Sequence, residues 1–381
     1  MPLVFSGLNT KGSFNLVYTP PPPSSYYLWS WGLNAYGRLG QGNTTNRSSP
    51  VQVGALTTWS TVAGGARHSV ALKTDNTLWG WGRNNRGQVG LGNTTYYSSP
   101  VQVGALTNWL KISAGYDVTA AVKTDGTLWT WGMNNYGQLG LGNATYRSSP
   151  NQVGALTTWT QVSTNDGGTR AIRTNGTLWA WGRNEYGQLG LDGNTINRYS
   201  PIQVGTSTNW YFVSAGQEIT YAIRTNGTVW AWGRGQNSAL GLGTTTNYSS
   251  PVQIGALTNW SSLYARRDGA LAIKTDGTMW GWGQNAYGEI GDGTTTTRNS
   301  PVQIGALTTW LTGAAGGYGT VSAAIKTDGT LWTWGRNSYG HLGLGSFTPN
   351  SKNSSPVQVG ALTNWYDVAY GQFHMLAITR Q

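Results

Sequence analysis

The pattern W-x-W-G occurs seven times in this chain, beginning at Trp29, Trp79, Trp129, Trp179, Trp230, Trp280 and Trp332, so successive copies lie 50–52 residues apart. A third tryptophan follows each copy, at Trp59, Trp109, Trp159, Trp210, Trp260, Trp310 and Trp365, and these three slots hold all 21 tryptophans. A fixed period of this length marks an array of supersecondary units, none of which can bury its apolar face alone. Tryptophan confined to the repeat skeleton is read first as cement. Burying a large apolar side chain gives about 1.5–3 kcal/mol. Trp129→Ala is accordingly expected to cost about 3–5 kcal/mol.

One copy, from residue 109, reads WLKISAGYDVTAAVKTDGTLWTWGMNNYGQLGLGNATYRSSPNQVGAL and divides into four short strands. The first is WLKIS, the second TAAVKT and the third TLWTWG; the fourth opens at Ser-Pro and continues NQVGAL. An Asp-Gly, Asp-Asn or Asn-Gly pair between the second and third predicts a two-residue hairpin with both central residues at positive φ. Pro50, Pro100, Pro150, Pro201, Pro251, Pro301 and Pro356 are expected at the first residue of an outer edge strand, which lacks one ladder bond. Residues i and i+2 of a strand share a face, so both indoles of each pair lie on one side of a sheet. Between them stands Ser30, Gly80, Thr130, Ala180, Ala231, Gly281 or Thr333, always small, expected to leave room for a neighbouring sheet's indoles.

Four-stranded units that stack face to face at this period close into a propeller. The predicted fold is all-β: a seven-bladed β-propeller of four-stranded blades, with a short N-terminal arm. The chain enters the pattern at a third strand (YYLWSWG) and leaves after a first and second (WYDVAYGQFHMLAITR). Residues 365–379 are therefore expected to join residues 27–54 in one composite blade that latches the ring. Residues 28–381 form the propeller; residues 1–27 are a docking arm and Pro-rich spacer, with Phe5, Phe14 and Tyr18 as its apolar contacts.

Composition narrows the function. The absence of cysteine excludes disulfides, Cys-ligated zinc and thiol nucleophiles. No basic segment precedes an apolar run at the start, and no stretch reaches 18 apolar residues, so neither a secretory signal nor a membrane span is expected. A net charge of +11 raises the question of nucleic acid. The basic residues recur once per repeat, at Lys73, Lys123, Arg173, Arg224, Lys274 and Lys326 and at Arg47, Arg147, Arg198 and Arg298. That spacing reads as dilute solvated rings and argues against a nucleic-acid stripe.

Of 13 acidic residues, Asp75, Asp125, Asp276 and Asp328 fall in hairpin turns, and Glu289 and Asp292 share a loop with no histidine near. Neither a G-x-S-x-G elbow nor a phosphate-binding G-K-[ST] is present. A non-enzyme without cofactor is expected. His68 and His374 fall in equivalent loops of neighbouring blades near Asp117, but two histidines without a third close ligand predict no metal site.

WGMNNYGQLGLG, WGRNEYGQLGLDG and WGRNSYGHLGLG, each preceded by a TDGTLW-type hairpin, with segments such as GARHSVALKTD, resemble the repeats of the regulator of chromosome condensation family. The resemblance covers residues 28–381 and implies a seven-bladed propeller. Members of that family include an exchange factor for a small nuclear GTPase, a plant ultraviolet-B photoreceptor and a bacterial β-lactamase inhibitor, so it implies no single function. The fifth copy, WGRGQNSALGLG, departs from it at Gly235 and Ser238, GEIGDGT departs at Asp292, and the extra indole of the photoreceptor loop is replaced by Ala66, Tyr116 and Gln217.

Positions that vary between copies are free to serve a partner. The loop between first and second strands varies most, and in a propeller these loops gather around one mouth of the central channel. Arg67, His68, Tyr116, Asp117, Asp166, Glu218, Arg266, Arg267, Asp268, Tyr318, Phe373 and His374 are the candidate binding residues, a mixture of charge and aromatic surface suited to protein contact. Tyr116→Ala is expected to change partner affinity without changing melting. The favoured reading is a non-enzymatic interaction module, a structural, decorating or receptor- or glycan-binding part of a larger particle such as a phage virion or bacterial surface, docked through residues 1–27. The alternative is an exchange-factor-type regulator of a small GTPase.

Overall fold

In the computed structural model, which describes residues 25–315, 320–348 and 351–381, each period of sequence forms one four-stranded antiparallel sheet. Blade 2 shows the plan: an inner strand Trp109–Ala114, then Val118–Lys123, Leu128–Gly132 and an outer strand Arg147–Gln152, paired in that order. Blades 1 and 3–6 begin at Trp59, Trp159, Trp210, Trp260 and Trp310. Blade 7 joins the two ends of the chain, with Arg47–Gln52 outermost, then Tyr26–Gly32, His374–Arg380 and Trp365–Tyr370. Each inner strand touches the next, and that of blade 7 returns to that of blade 1, so the circle closes. Ser25 and Gln381 exchange backbone hydrogen bonds of 3.3 and 2.9 Å at the seam. No helix among the described residues is long and apolar enough to cross a membrane.

The core lies between blades. Trp59, Val62, Ala71 and Trp81 of blade 1 pack on Leu28, Val53, Leu376 and Ile378 of blade 7, and the other junctions repeat this arrangement. The second indole of each pair is fully buried, whereas the first is half-buried, Trp129 among them. The buried indole also ties blades together: Trp81 Nε1 donates to Arg38 O at 2.9 Å, Trp131 Nε1 to Gln88 O at 2.9 Å and Trp181 Nε1 to Gln138 O at 3.0 Å. A serine or threonine on the same strand pair gives that carbonyl a second donor, as Ser69 does to Arg38 O and Thr119 to Gln88 O.

Room for the neighbour's indole is made elsewhere than the sequence led us to expect. A Cβ at Gly90 would stand 2.7 Å from Trp131 Nε1, and at Gly140 2.7 Å from Trp181 Nε1, so this loop glycine, not the small residue of W-x-W, clears the space. The small residue faces its own blade: a Cβ on Gly80 meets Val89, and the Thr130 hydroxyl donates to Leu139 O at 2.7 Å.

The phrase T-D-G-T-L-W is a relay. Trp129 Nε1 donates to Thr127 Oγ1 at 2.8 Å, and that hydroxyl donates to Asp125 Oδ1 at 2.6 Å. Five other copies do the same with Asp or Asn at the first position. The hairpin is a three-residue loop, with Gly126 N bonded to Lys123 O at 3.0 Å and Lys123 N to Thr127 O at 3.0 Å. Only Gly126 (φ 74°) takes positive φ in it, because Asp125 is held in the right-handed turn by its own side-chain bonds.

Two further expectations change. Pro150 is the fourth residue of its strand, at the point where the ladder skips from Arg147↔Gly132 to Asn151↔Thr130, so no donor is missed. The repeated lysines are not solvated: Lys73, Lys123, Lys274 and Lys326 are 5–8% exposed, and their Nζ atoms lie 3.6–3.8 Å above the first indole of the pair. Desolvation lowers their pKa values, and the indole face replaces part of the lost hydration.

Candidate functional site

Val118 pairs with Gly132, so the loop between first and second strands leaves the blade at the same end as the W-G-R-N segment after the third strand. Both loop sets therefore build one face of the disc. Between the inner strands runs a channel whose polar cavity of about 330 Å³ is lined by Ser113, Ser163, Ser214, Tyr264 and Thr312, with Asp367 as its one charged side chain among the described residues. Asp367 accepts backbone hydrogen bonds from Val62 at 3.2 Å, across the blade 7–1 junction, and from Val368 at 2.9 Å. Burial pushes its carboxyl up to about 6.

The candidate residues separate into two groups. His68, His374, Arg266 and Asp117 are buried. Ser69 Oγ and Thr119 Oγ1 each use their proton on a neighbouring carbonyl, so His374 Nε2–H donates to Ser69 and His68 Nε2–H donates to Thr119, both at 2.9 Å. Burial holds His68 down to about 3 and His374 well below the usual imidazole range, so both stay neutral and serve the blade junctions. Variation between copies here reflects alternative fillings of the junction. Asp117 accepts from Gln88 Nε2 at 2.7 Å with Arg83 at 4.0 Å, and burial raises its carboxyl to about 6 against the pull of that guanidinium. Arg266 donates to Trp282 O at 2.9 Å.

The second group lies at or just beneath the surface, with Glu218 and Asp268 buried under the arginines they pair with. The Arg67 guanidinium lies 4.8 Å from the Tyr116 ring centre, and both are half-buried. Asp166 accepts from Gln217 at 3.3 Å. Glu218, mostly buried, is clasped by Arg183 at 3.3 Å and Arg234 at 2.5 Å. Arg267 is exposed, beside Asp268 at 3.5 Å. Phe373 meets Tyr339 edge-on at 5.3 Å. Tyr318 and the arm residues Phe5, Phe14 and Tyr18 lie outside the described residues.

The sequence reading missed the other half of this face. Arg83 stands 5.4 Å over Tyr36, Arg183 5.3 Å over Tyr136, Arg234 5.2 Å over Tyr186 and Arg336 4.9 Å over Tyr287. The tyrosine of one blade lies under the arginine of the next. The signal was W-G-R-N-x-Y-G itself, set aside as skeleton because it repeats. Its tryptophan and glycines are skeleton, but its arginine and tyrosine are at the surface. No three His, Cys, Asp or Glu side chains gather as a metal site among the described residues.

The regulator of chromosome condensation (RCC1) repeat model matches residues 27–72, 75–122, 125–172, 175–223, 226–263, 276–323 and 328–378, and a second model of the same repeat matches four stretches between 59 and 238. No curated protein matches by sequence. Among solved structures, human WBSCR16 is similar at 21% identity and TM-score 0.82, covering 94% of this chain and 99% of its own. Prp20p of Saccharomyces cerevisiae, described with its binding to Gsp1p and histones, is similar at 18% and 0.82, covering 94% and 93%. Yeast RCC1 (Prp20) bound to Kap60 is similar at 18% and 0.83, covering 94% and 90%. Those likenesses extend the fold alone. Seven matched repeats, each one period of the W-x-W-G pattern and together closing one ring, make this chain a member of the RCC1 repeat family.

Proposed function

We propose that this chain is a non-enzymatic interaction module that binds a protein partner through its loop face. The observation that supports it is the set of guanidinium groups over tyrosines at five of the seven blade junctions, each pair spanning two blades, beside blade-specific loops carrying Tyr116, Asp166, Glu218 and Arg267. Tyrosine and arginine held rigid in this way lose little side-chain freedom on binding and are the residue types that dominate interface energies. Prp20p, the yeast RCC1, described with protein partners in both of its structures, provides a fold-level parallel.

The test is affinity capture with cross-linking, comparing the wild type with the double variant Tyr116→Ala/Arg183→Ala. A protein cross-linked to the loop face and lost with the variant, at unchanged melting temperature, supports the reading; identical capture by both proteins removes it. The particle-component reading belongs to residues 1–27 and predicts that deleting them releases the propeller from an assembly. The exchange-factor alternative predicts accelerated nucleotide release from a small GTPase, unaffected by that deletion.

A further inference from the structure

The outer rim of the disc carries a second feature, separate from the arginine–tyrosine pairs of the loop face. Where one blade's outer strand passes to the next blade, a cleft opens between the two. At the blade 7–1 junction it has a volume of about 400 Å³ and is lined by Gly40, Gly42, Gln52, Leu56, Trp79 and Pro100, among others. At the blade 2–3 junction it is about 430 Å³, with Gly140, Gly142, Gln152, Leu156, Trp179 and Pro201 in the same places. The sequence supplies the same set at the other five junctions, with Asp192 and Ser207 as exceptions in one. The spacing repeats too: a Cβ at Gly42, Gly92, Gly142, Gly243, Gly293 or Gly345 would stand 3.5–4.0 Å from the facing blade's serine hydroxyl.

Two properties of the clefts are not demanded by folding. The leucine at the rim, Leu56, Leu106, Leu156, Leu257, Leu307 or Leu362, is 40–47% exposed, yet blade 4 manages with Ser207 at that position. The ring therefore does not need an apolar side chain there. The first indole of each pair, Trp79 and Trp179 in the two clefts, is left half-buried, although the lone tryptophan packed edge-on against it, Trp59 or Trp159, is at most 2% exposed.

From this the geometry points to a ring of equivalent sites for a neutral carbohydrate, one pyranose per junction. A pyranose has an apolar C–H face, which suits the indole, leucine and proline. Its hydroxyls suit the serine, the glutamine amide and backbone groups. In four copies the glutamine is held at the exposed rim by one amide hydrogen, where Gln52, Gln203, Gln253 and Gln358 donate to the glycine carbonyl two residues on at 2.9–3.1 Å. Neither of these two clefts is lined by a carboxylate, and one alone is lined by an arginine, Arg47; Asp192 and Asp292 each enter a single other junction, so no one charge repeats around the ring as the apolar and amide groups do. A small amphipathic cleft binds one sugar weakly, and six leucine-bearing clefts on one ring convert weak contacts into avidity for a repeating polymer.

The test is native affinity electrophoresis of the full chain in gels containing dextran, galactomannan or glycol chitin, with alginate as the anionic control. Retardation by at least one neutral polymer is expected. It should be lost when all six leucines are changed to serine, the residue blade 4 already has, and increased by Ser207→Leu. No retardation by any neutral polymer, retardation by alginate alone, or retardation indifferent to both variants overturns the assignment. Should the six-leucine variant fail to fold, Ser207→Leu decides alone. Capture of a protein through the loop face is unaffected by these outcomes, so the two readings fail separately.

Discussion

At the scale of single residues, the same amino acid does different work at different slots. Trp131 is fully buried and bonded to the preceding blade, while Trp129 is half-buried with its N–H bonded within its own hairpin. Trp131→Ala is therefore expected to cost about 3–5 kcal/mol, and Trp129→Ala about 2 kcal/mol, less than its place in the repeat first implied. Urea denaturation of the two variants checks the order. Asp367 makes a pH-dependent prediction. Its carboxyl is raised to about 6, above the ordinary value near 4 of the unfolded chain, so its contribution to stability is full below about pH 4 and lost as pH rises through 6. Asp367→Asn keeps a neutral acceptor in the channel. Its melting temperature should match the wild type at pH 4 and exceed it at pH 8; a constant difference across that range contradicts the assignment. Residue roles of this kind were only partly legible in the sequence. That a basic residue, lysine in four blades, recurs at this slot was visible, but that its cationic head lies on an indole depends on a neighbouring strand's register.

At the scale of the strand and hairpin, the number and order of elements were legible because period and alternation report them directly. The turn type was not, because Asp-Gly also fits a two-residue turn; the Asp125–Thr127–Trp129 relay decides for the longer loop. Thr127→Val removes the relay while keeping side-chain shape, and should cost about 1–2 kcal/mol by thermal melting. Thr127→Ser should restore most of it. The loop face behaves differently. Tyr116 lies under Arg67 at a half-buried surface, so Tyr116→Ala should lower partner affinity at least tenfold while shifting the melting temperature little. An unfolded Tyr116→Ala protein would make that loop a structural element. The loop's variability pointed to the face, but variability also marked His68 and His374, which lie inside blade junctions; sequence alone does not separate a variable surface from a variable filling.

At the scale of the whole molecule, closure depends on pairing the two ends of the chain. Removing residues 365–381 deletes the two inner strands of blade 7, leaving Tyr26–Gly32 paired on one side only and the inner strand of blade 1 without its blade 7 neighbour. That truncation should abolish a single cooperative melting transition, as followed by tryptophan fluorescence. The seam also has a geometric consequence. Because Ser25 and Gln381 are bonded to each other, the circle has no privileged starting point. A covalent link between those residues, with the backbone cut instead at the Gly154–Thr157 connection, would give a permuted polypeptide in which blade 7 is still completed, but by consecutive sequence. Such a protein should fold to the same disc; in the original connectivity, anything joined at Ser25 and at Gln381 leaves the disc from one shared spot.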